Sequence, residues 1–266
     1  MSNKPLDFMP TKINKIDYQL LILLGFIAIF ISCKKEQIQV KTIKSETVEI
    51  NDNINSDSSI SDFVKPYHEK LTEKVSEIIG YNDQILSNEE VNLQSTLGNA
   101  YADICLNFAL PKFKEQTGRK IDFALFNYGG LRQSVYKGPI KVEDIFELMP
   151  FENMLVIAEM SGEQVQSLFD YFEKNKKAHP ISGVNLTFEG EKLSEILIDG
   201  KKFSKTENYL VLTNDYLQKG GDNMIFFKDP IKLYSLDAKI RDVIISEIKL
   251  KDTIKGAIDD RIKMIN

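Results

Sequence analysis

Few residues in this chain could do chemistry, and their spacing narrows what that chemistry is. His68 and His179 are the only two histidines, and neither has a partner at metal-ligand spacing. A binuclear metal centre needs several imidazoles with carboxylates to fix two close cations, so two isolated histidines cannot build one. His68 reads as a helix-surface residue; His179 precedes Pro180 in a loop with some opportunity to face a ligand. Cys105 falls at helical spacing among apolar residues, far from either histidine, and reads as a small buried hydrophobe rather than a nucleophile. The pairs Glu143-Asp144 and Asp259-Asp260 read as helix faces. No serine elbow or phosphate loop is present. The chain is therefore expected to hold no catalytic residue and no metal of its own. What stands out instead is Asp122–Met154, where an apolar strand runs into Asn127-Tyr128-Gly129-Gly130-Leu131-Arg132, then a short acidic helix, then a Pro-Phe turn. Strand ends and glycine turns let backbone approach a ligand. With no Cβ in the way at Gly129 and Gly130, Asn127 and Arg132 can point into one cleft.

The elements that must position this stretch follow from periodicity. Helices are expected at Pro66–Gly80, with Gly80 as the cap, at Leu97–Lys112 and at Val142–Leu148. A further helix starts at Ser161, where a capping box with Gln164 precedes the stripe Val165, Leu168, Phe169 and Phe172. Strands are expected at Ile121–Phe126, Met154–Glu159, Val184–Phe188, Leu193–Ile198, Tyr209–Asn214 and Ile225–Phe227, with a hairpin signal at Asp199-Gly200. Terminal helices are expected at Ala238–Leu250 and Thr253–Met264. Helices and strands without regular alternation indicate an α+β fold, a mixed β-sheet with flanking helices.

The net charge of -5 and the interleaving of lysines with acids argue against a nucleic-acid polymer as ligand. The N-terminus carries Lys12 and Lys15, an apolar run from Leu20 to Ser32 too short for a comfortable span, and then Cys33 followed by Lys34-Lys35-Glu36. This resembles a bacterial lipobox, with Phe30 in place of the usual leucine. The expectation is a lipoprotein signal peptide over 1–32, lipidation at Cys33, a flexible tether over 33–62 rich in polar residues, and a folded domain over 63–266. The chain would then be membrane-anchored in the bacterial cell envelope. An uncleaved signal anchor is the alternative.

Beyond Asn127–Arg132, the segments Pro150-Phe151-Glu152-Asn153, Ser161-Gly162, Ser182-Gly183 and Thr213-Asn214-Asp215-Tyr216 through Gly220-Gly221-Asp222 follow in order. This set, spanning Leu86 to Phe227, resembles the C-terminal, substrate-binding domain of the 5'-nucleotidase family, which includes UDP-sugar hydrolases and 2',3'-cyclic phosphodiesterases. The resemblance implies a nucleobase clamped between the rings of Phe151 and Tyr216. It implies Asn127, Gly129, Gly130 and Arg132 as ligand contacts, with the arginine on the anionic or sugar side. It further implies Asn153 on the base edge, Gly183 allowing close backbone approach and Asp222 accepting from ribose hydroxyls. Gly220 and Gly221 read more simply as turn residues. A structural pairing of Arg132 with Glu143 or Glu147 is the alternative at that position.

Full-length members of that family carry a preceding metallophosphoesterase domain, whose place here is taken by the signal and tether. They often carry an arginine where this chain has Val91-Asn92-Leu93-Gln94. The expected function is the nucleotide-binding half of a split 5'-nucleotidase, binding a nucleoside monophosphate or nucleoside, inactive alone, with divalent metals supplied by a separate metallophosphoesterase chain. The alternative is an envelope nucleoside-binding lipoprotein or scaffold without a catalytic partner.

Overall fold

Three strands that neighbour one another in space carry apolar residues on both faces, and they form the centre of the molecule. The computed structural model describes residues 18–20, 22–23, 42–51 and 54–265. Two units are distinguished, Met1–Ser56 and Asp57–Asn266. In the first, residues 42–51 have no regular secondary structure and are exposed. Cys33 and most of the signal expected from sequence lie outside the described residues, whereas residues 42–51 and 54–62 of the expected tether lie within them. Among the described residues no helix is long and apolar enough to cross a membrane.

The second unit runs α1 (Ser58–Val75), β1 (Ile78–Asn82), α2 (Thr96–Thr117), β2 (Phe123–Leu125), a 3-10 turn (Tyr128–Gly130), β3 (Gly138–Lys141), α3 (Val142–Leu148) and β4 (Met154–Ser161). It continues with α4 (Gly162–Asn175), β5 (Ile181–Ser182), β6 (Val184–Glu189), β7 (Lys192–Ile198), β8 (Lys201–Lys202), β9 (Asn208–Asn214) and α5 (Asp215–Gln218). Two 3-10 turns (Gly221–Asn223 and Ile225–Phe227), β10 (Lys232–Lys239), α6 (Ile240–Lys251) and β11 (Ile262–Ile265) complete it. A five-stranded sheet has the order β10-β4-β9-β2-β5. Its β2–β9 pair is parallel and the others are antiparallel, so the sheet is mixed, as the sequence indicates. A second sheet, β11-β6-β7-β8, and a β1–β3 pair flank it in the chain.

The period-2 alternation of the central strands separates two apolar layers. Ala124, Leu155, Ile157, Leu210 and Leu212 face the layer built with α2, α3 and α6. Phe123, Leu125, Ala158, Met160 and Val211 face the layer built with α4, β6 and β7. Cys105 is fully buried in the first layer, and burial pushes its thiol up, which leaves it inert. The α4 capping box at Ser161 and Gln164 forms as its sequence implies.

Four expectations need correction. The first helix is Ser58–Val75, not Pro66–Gly80; it starts within the stretch assigned to the tether, where the Asp57 carboxylate caps it. It buries none of its residues, and Leu71 is 59% exposed. Gly80 is not its cap but a residue of β1, where a Cβ would stand 2.7 Å from Ile248 Cγ2. Ile225–Phe227 is a 3-10 turn rather than a strand, because the N–H groups of Phe227 and Lys228 close onto Met224 and Ile225 carbonyls.

The stretch Thr253–Met264 is not a helix. Gly256 passes the start of α2 so closely that a Cβ would lie 2.0 Å from the Thr96 carbonyl oxygen. The side chains of Asn99 and Gln94 take the backbone groups a helix would need: Asn99 donates to the Ala257 carbonyl at 2.8 Å and Gln94 to that of Ile262 at 3.1 Å. The chain then ends in β11, parallel to β6. The segment Val91–Gln94 is a tight turn with Asn92 and Leu93 in the left-handed region, and its two ends exchange backbone hydrogen bonds.

Candidate functional site

The end of β2 delivers Asn127 in extended backbone, and the chain turns at once through Tyr128–Gly130. Neither glycine needs a positive φ here; at Gly130 space is tight, since a Cβ would lie 3.0 Å from Asn127 Oδ1, whereas one on Gly129 would come no nearer than 3.7 Å to Asn127 Nδ2. The turn frees the Asn127 amide to reach across to Asp222, Nδ2 donating to Oδ2 at 2.7 Å. Arg132 is anchored through its backbone N–H on the Leu148 carbonyl at 2.9 Å, and its side chain is exposed. Among the described residues the guanidinium makes no ion pair with Glu143 or Glu147; Glu143 pairs with Lys141 at 2.9 Å instead.

The Pro-Phe turn after α3 presents Phe151, which is 41% exposed. The turn is held from behind by Arg241, at the start of α6. Its Nη1 donates to the carbonyls of Met149 at 3.2 Å and Phe151 at 3.4 Å, while Nη2 pairs with Glu152. Its guanidinium carbon lies 4.0 Å from the Phe146 ring centre. Lys239 also grips Glu152, and Lys239 and Arg241 together hold that carboxyl below its usual range. Asn153 follows, its carbonyl accepting from the Ile240 N–H at 3.0 Å.

The opposite wall begins where β9 ends. The Asn214 side chain caps α5, so Tyr216 stands on a short helix and is 44% exposed. Gly220 takes φ +89, a conformation that favours glycine. At Gly221 a Cβ would lie 2.4 Å from the Tyr216 ring, so this glycine is what lets the loop lie against the phenol. Asp222 sits in the left-handed region at φ 51. Its carboxylate accepts from the Tyr216 hydroxyl at 2.8 Å as well as from Asn127. That hydrogen bond holds the phenol above its ordinary pKa and keeps it a donor. Each carboxylate oxygen retains a free lone pair with which it can accept from a ligand hydroxyl.

Asn127, Gly129, Gly130 and Arg132 from the first wall, Phe151 and Asn153 from the turn, and Tyr216 and Asp222 from the second wall line one cavity of about 280 Å³. Gly183 does not join them. It lies at the β5–β6 junction with φ +85, where a Cβ would meet the Asp122 carbonyl oxygen at 2.9 Å; it lines a different concavity with Ser182, Asp199 and Arg261. Close packing onto β2 accounts for the glycine there. Among the described residues no group of three or more His, Cys, Asp or Glu is placed to hold a metal ion.

His179 does not line the cavity either. It is 6% exposed, and its Nδ1 accepts the Tyr128 backbone N–H at 3.1 Å. Burial lowers its pKa to about 4, opposed by the Asp222 charge. The unfolded chain therefore takes up this proton first as pH falls. Stability from this group is whole above about pH 6.5 and is lost as pH drops toward 4, by about 3 kcal/mol at 1.36 kcal/mol per unit. Urea unfolding at pH 7 and pH 4.5 should show most of this loss in the natural protein, and His179→Asn should flatten it.

Sequence reading passes over two residues that hold the cavity walls: Arg241 behind the Phe151 turn, and Tyr171, whose hydroxyl donates to the Asp222 carbonyl at 2.9 Å. Arg241 does leave a trace: a cation in the first turn of a helix opposes the helix dipole and needs another reason to be there. Tyr171 leaves none, since it extends the aromatic stripe of α4.

Residues 75–229 match the family described as the 5'-nucleotidase, C-terminal domain. The chain is similar to the 5'-nucleotidase of Vibrio vulnificus, 29% identical over 189 residues that make up 67% of this chain and 32% of the relative. It is also similar to protein UshA of Escherichia coli, 31% identical over 108 residues, 38% of this chain and 19% of that protein. Among solved structures, the 5'-nucleotidase precursor of Thermus thermophilus superposes with a TM-score of 0.64 at 20% identity, over 79% of this chain and 43% of that one, a likeness of fold. The chain thus spans about a third or less of the length of these two curated relatives. With more than half its length matched, and with the motif segments converging as they do, the chain belongs to the 5'-nucleotidase C-terminal domain family.

Proposed function

We propose that this domain holds a nucleoside or nucleotide with its base between Phe151 and Tyr216, as the nucleotide-binding half of a split 5'-nucleotidase. In this reading the divalent metals and the hydrolytic chemistry belong to a separate metallophosphoesterase chain, and Cys33 anchors this one to an envelope membrane. The observation that carries the reading is the convergence of two half-exposed aromatic rings and a pre-oriented carboxylate on one cavity. Stacking on an aromatic ring contributes roughly 1–3 kcal/mol per contact, with little dependence on which base is bound. Asp222 supplies the acceptor for sugar hydroxyls, and Arg132, without an acidic partner among the described residues, supplies a cation at the rim.

Calorimetry of the purified chain with adenosine, AMP and UDP-glucose tests binding. Saturable binding of at least one is expected, and a folded protein that binds none of them would end the reading. Mixing the chain with a metallophosphoesterase from a neighbouring gene tests the split arrangement. Hydrolysis of AMP beyond that of the phosphoesterase alone is expected; no gain would leave a binding protein or scaffold.

A further inference from the structure

We propose that His179 is a positioning residue, holding the Tyr128–Gly130 turn in the conformation that aims Asn127 at Asp222. This rests on the nucleoside-binding reading of the cavity. The imidazole is fixed from several sides. Lys176 ends α4 in the left-handed region, and the His179 N–H closes onto the Lys177 carbonyl at 2.7 Å. Pro180 follows and its carbonyl accepts from the Phe126 N–H at 2.9 Å, tying the loop to the end of β2. The rings of Tyr171 and Phe172 lie 5.7 and 5.9 Å from the imidazole, centre to centre. So placed, Nδ1 accepts from Tyr128 N–H, and Nε2 finds no partner with hydrogen-bonding geometry. An imidazole accepting at Nδ1 carries its proton on Nε2, so one tautomer alone fits.

The same cluster reaches the other wall. Tyr171, packed on His179, donates its hydroxyl to the Asp222 backbone carbonyl at 2.9 Å. The charged groups around the imidazole are Asp222 and Lys177, with the Tyr171 phenol beside it. His179 and Tyr171 thus form a rigid bracket behind the cavity. One arm sets the glycine turn and the other sets the loop that carries Asp222. Without the acceptor at Nδ1, the Tyr128 N–H is unpaired and the turn loses the contact that fixes its start.

The test compares two variants of the full chain by calorimetry with adenosine. His179→Leu keeps bulk and removes the acceptor; about a tenfold weaker affinity is expected, with the Tyr128 amide losing protection from hydrogen exchange. His179→Asn places Oδ1 where Nδ1 stood; affinity within threefold of the natural protein and a protected Tyr128 amide are expected. Unchanged affinity in folded His179→Leu, or no recovery in His179→Asn, overturns the proposal. Nitrogen NMR of the natural protein decides it if His179→Leu does not fold: a proton on Nε2 supports the bracket and a proton on Nδ1 overturns it. If the natural protein binds no adenosine, the nucleoside reading fails by itself, while tautomer and amide exchange still decide what His179 does.

Discussion

Tyr216→Ala should weaken adenosine binding by about 30- to 1000-fold, the largest loss expected from one side chain of this cavity. Two contributions disappear together. The ring is one of the two proposed stacking surfaces, at roughly 1–3 kcal/mol. The hydroxyl holds Asp222 Oδ1 and accepts the Asp222 N–H, so without it the carboxylate keeps only Asn127 as its orienting partner. A net hydrogen bond adds about 1 kcal/mol, and each 1.4 kcal/mol is a factor of ten. Tyr216→Phe separates the two: it keeps the ring, and a loss of only about fivefold is expected. Equal losses in both variants would mean that the ring does not stack. Calorimetry with adenosine and with uridine completes the comparison, since a stacking surface should lose similar affinity for both.

Arg241→Met should destabilise the domain by about 2–4 kcal/mol and slacken the Phe151 turn. Methionine keeps an apolar stem of similar length but loses the guanidinium over the Phe146 ring and the donors to two carbonyls, one of them on the buried Met149. A buried acceptor left unpaired costs about 1–3 kcal/mol. Glu152 keeps Lys239 as a partner, so no uncompensated charge is added to that cost. Arg241→Lys should recover little, because one ammonium cannot span the positions that the planar guanidinium reaches. Urea unfolding measures the stability change. A loss below 1 kcal/mol would mean that the turn is held by its own packing and that Arg241 is incidental to it.

What could be read from sequence here was the local chemistry. The Ser161 capping box, the Val142–Leu148 helix and the alternating strands declare themselves through side chains within a few residues of one another. Asn127 and Arg132 were legible because they flank a glycine turn at a strand end, whereas Phe151, Asn153, Tyr216 and Asp222 were legible through the resemblance of their ordered segments to the family. The C-terminal stretch was not. Ile254, Ile258 and Ile262 fall at helical spacing, and what overrides them is Gly256 passing α2 together with buried amides at Gln94 and Asn99, more than 150 residues earlier. The place of Gly183 apart from the cavity was hidden for a related reason. A glycine needed for packing onto β2 and one needed for a ligand have the same letter, and only the neighbours distinguish them. The bracket of His179 and Tyr171 was hidden because its bonds go to backbone atoms, which carry no residue identity.

The bond between Asn127 and Asp222 joins positions 95 residues apart. Loop closure over that separation is disfavoured until the parallel β2–β9 pair has brought the two walls together. The cavity therefore needs β2, β4 and β9 to be paired before its walls face one another. Neither wall alone presents more than half of it. Opening the β2–β9 or β4–β9 pairing would separate the two walls, so binding of the proposed ligand should fall together with the integrity of that sheet rather than with a local loop.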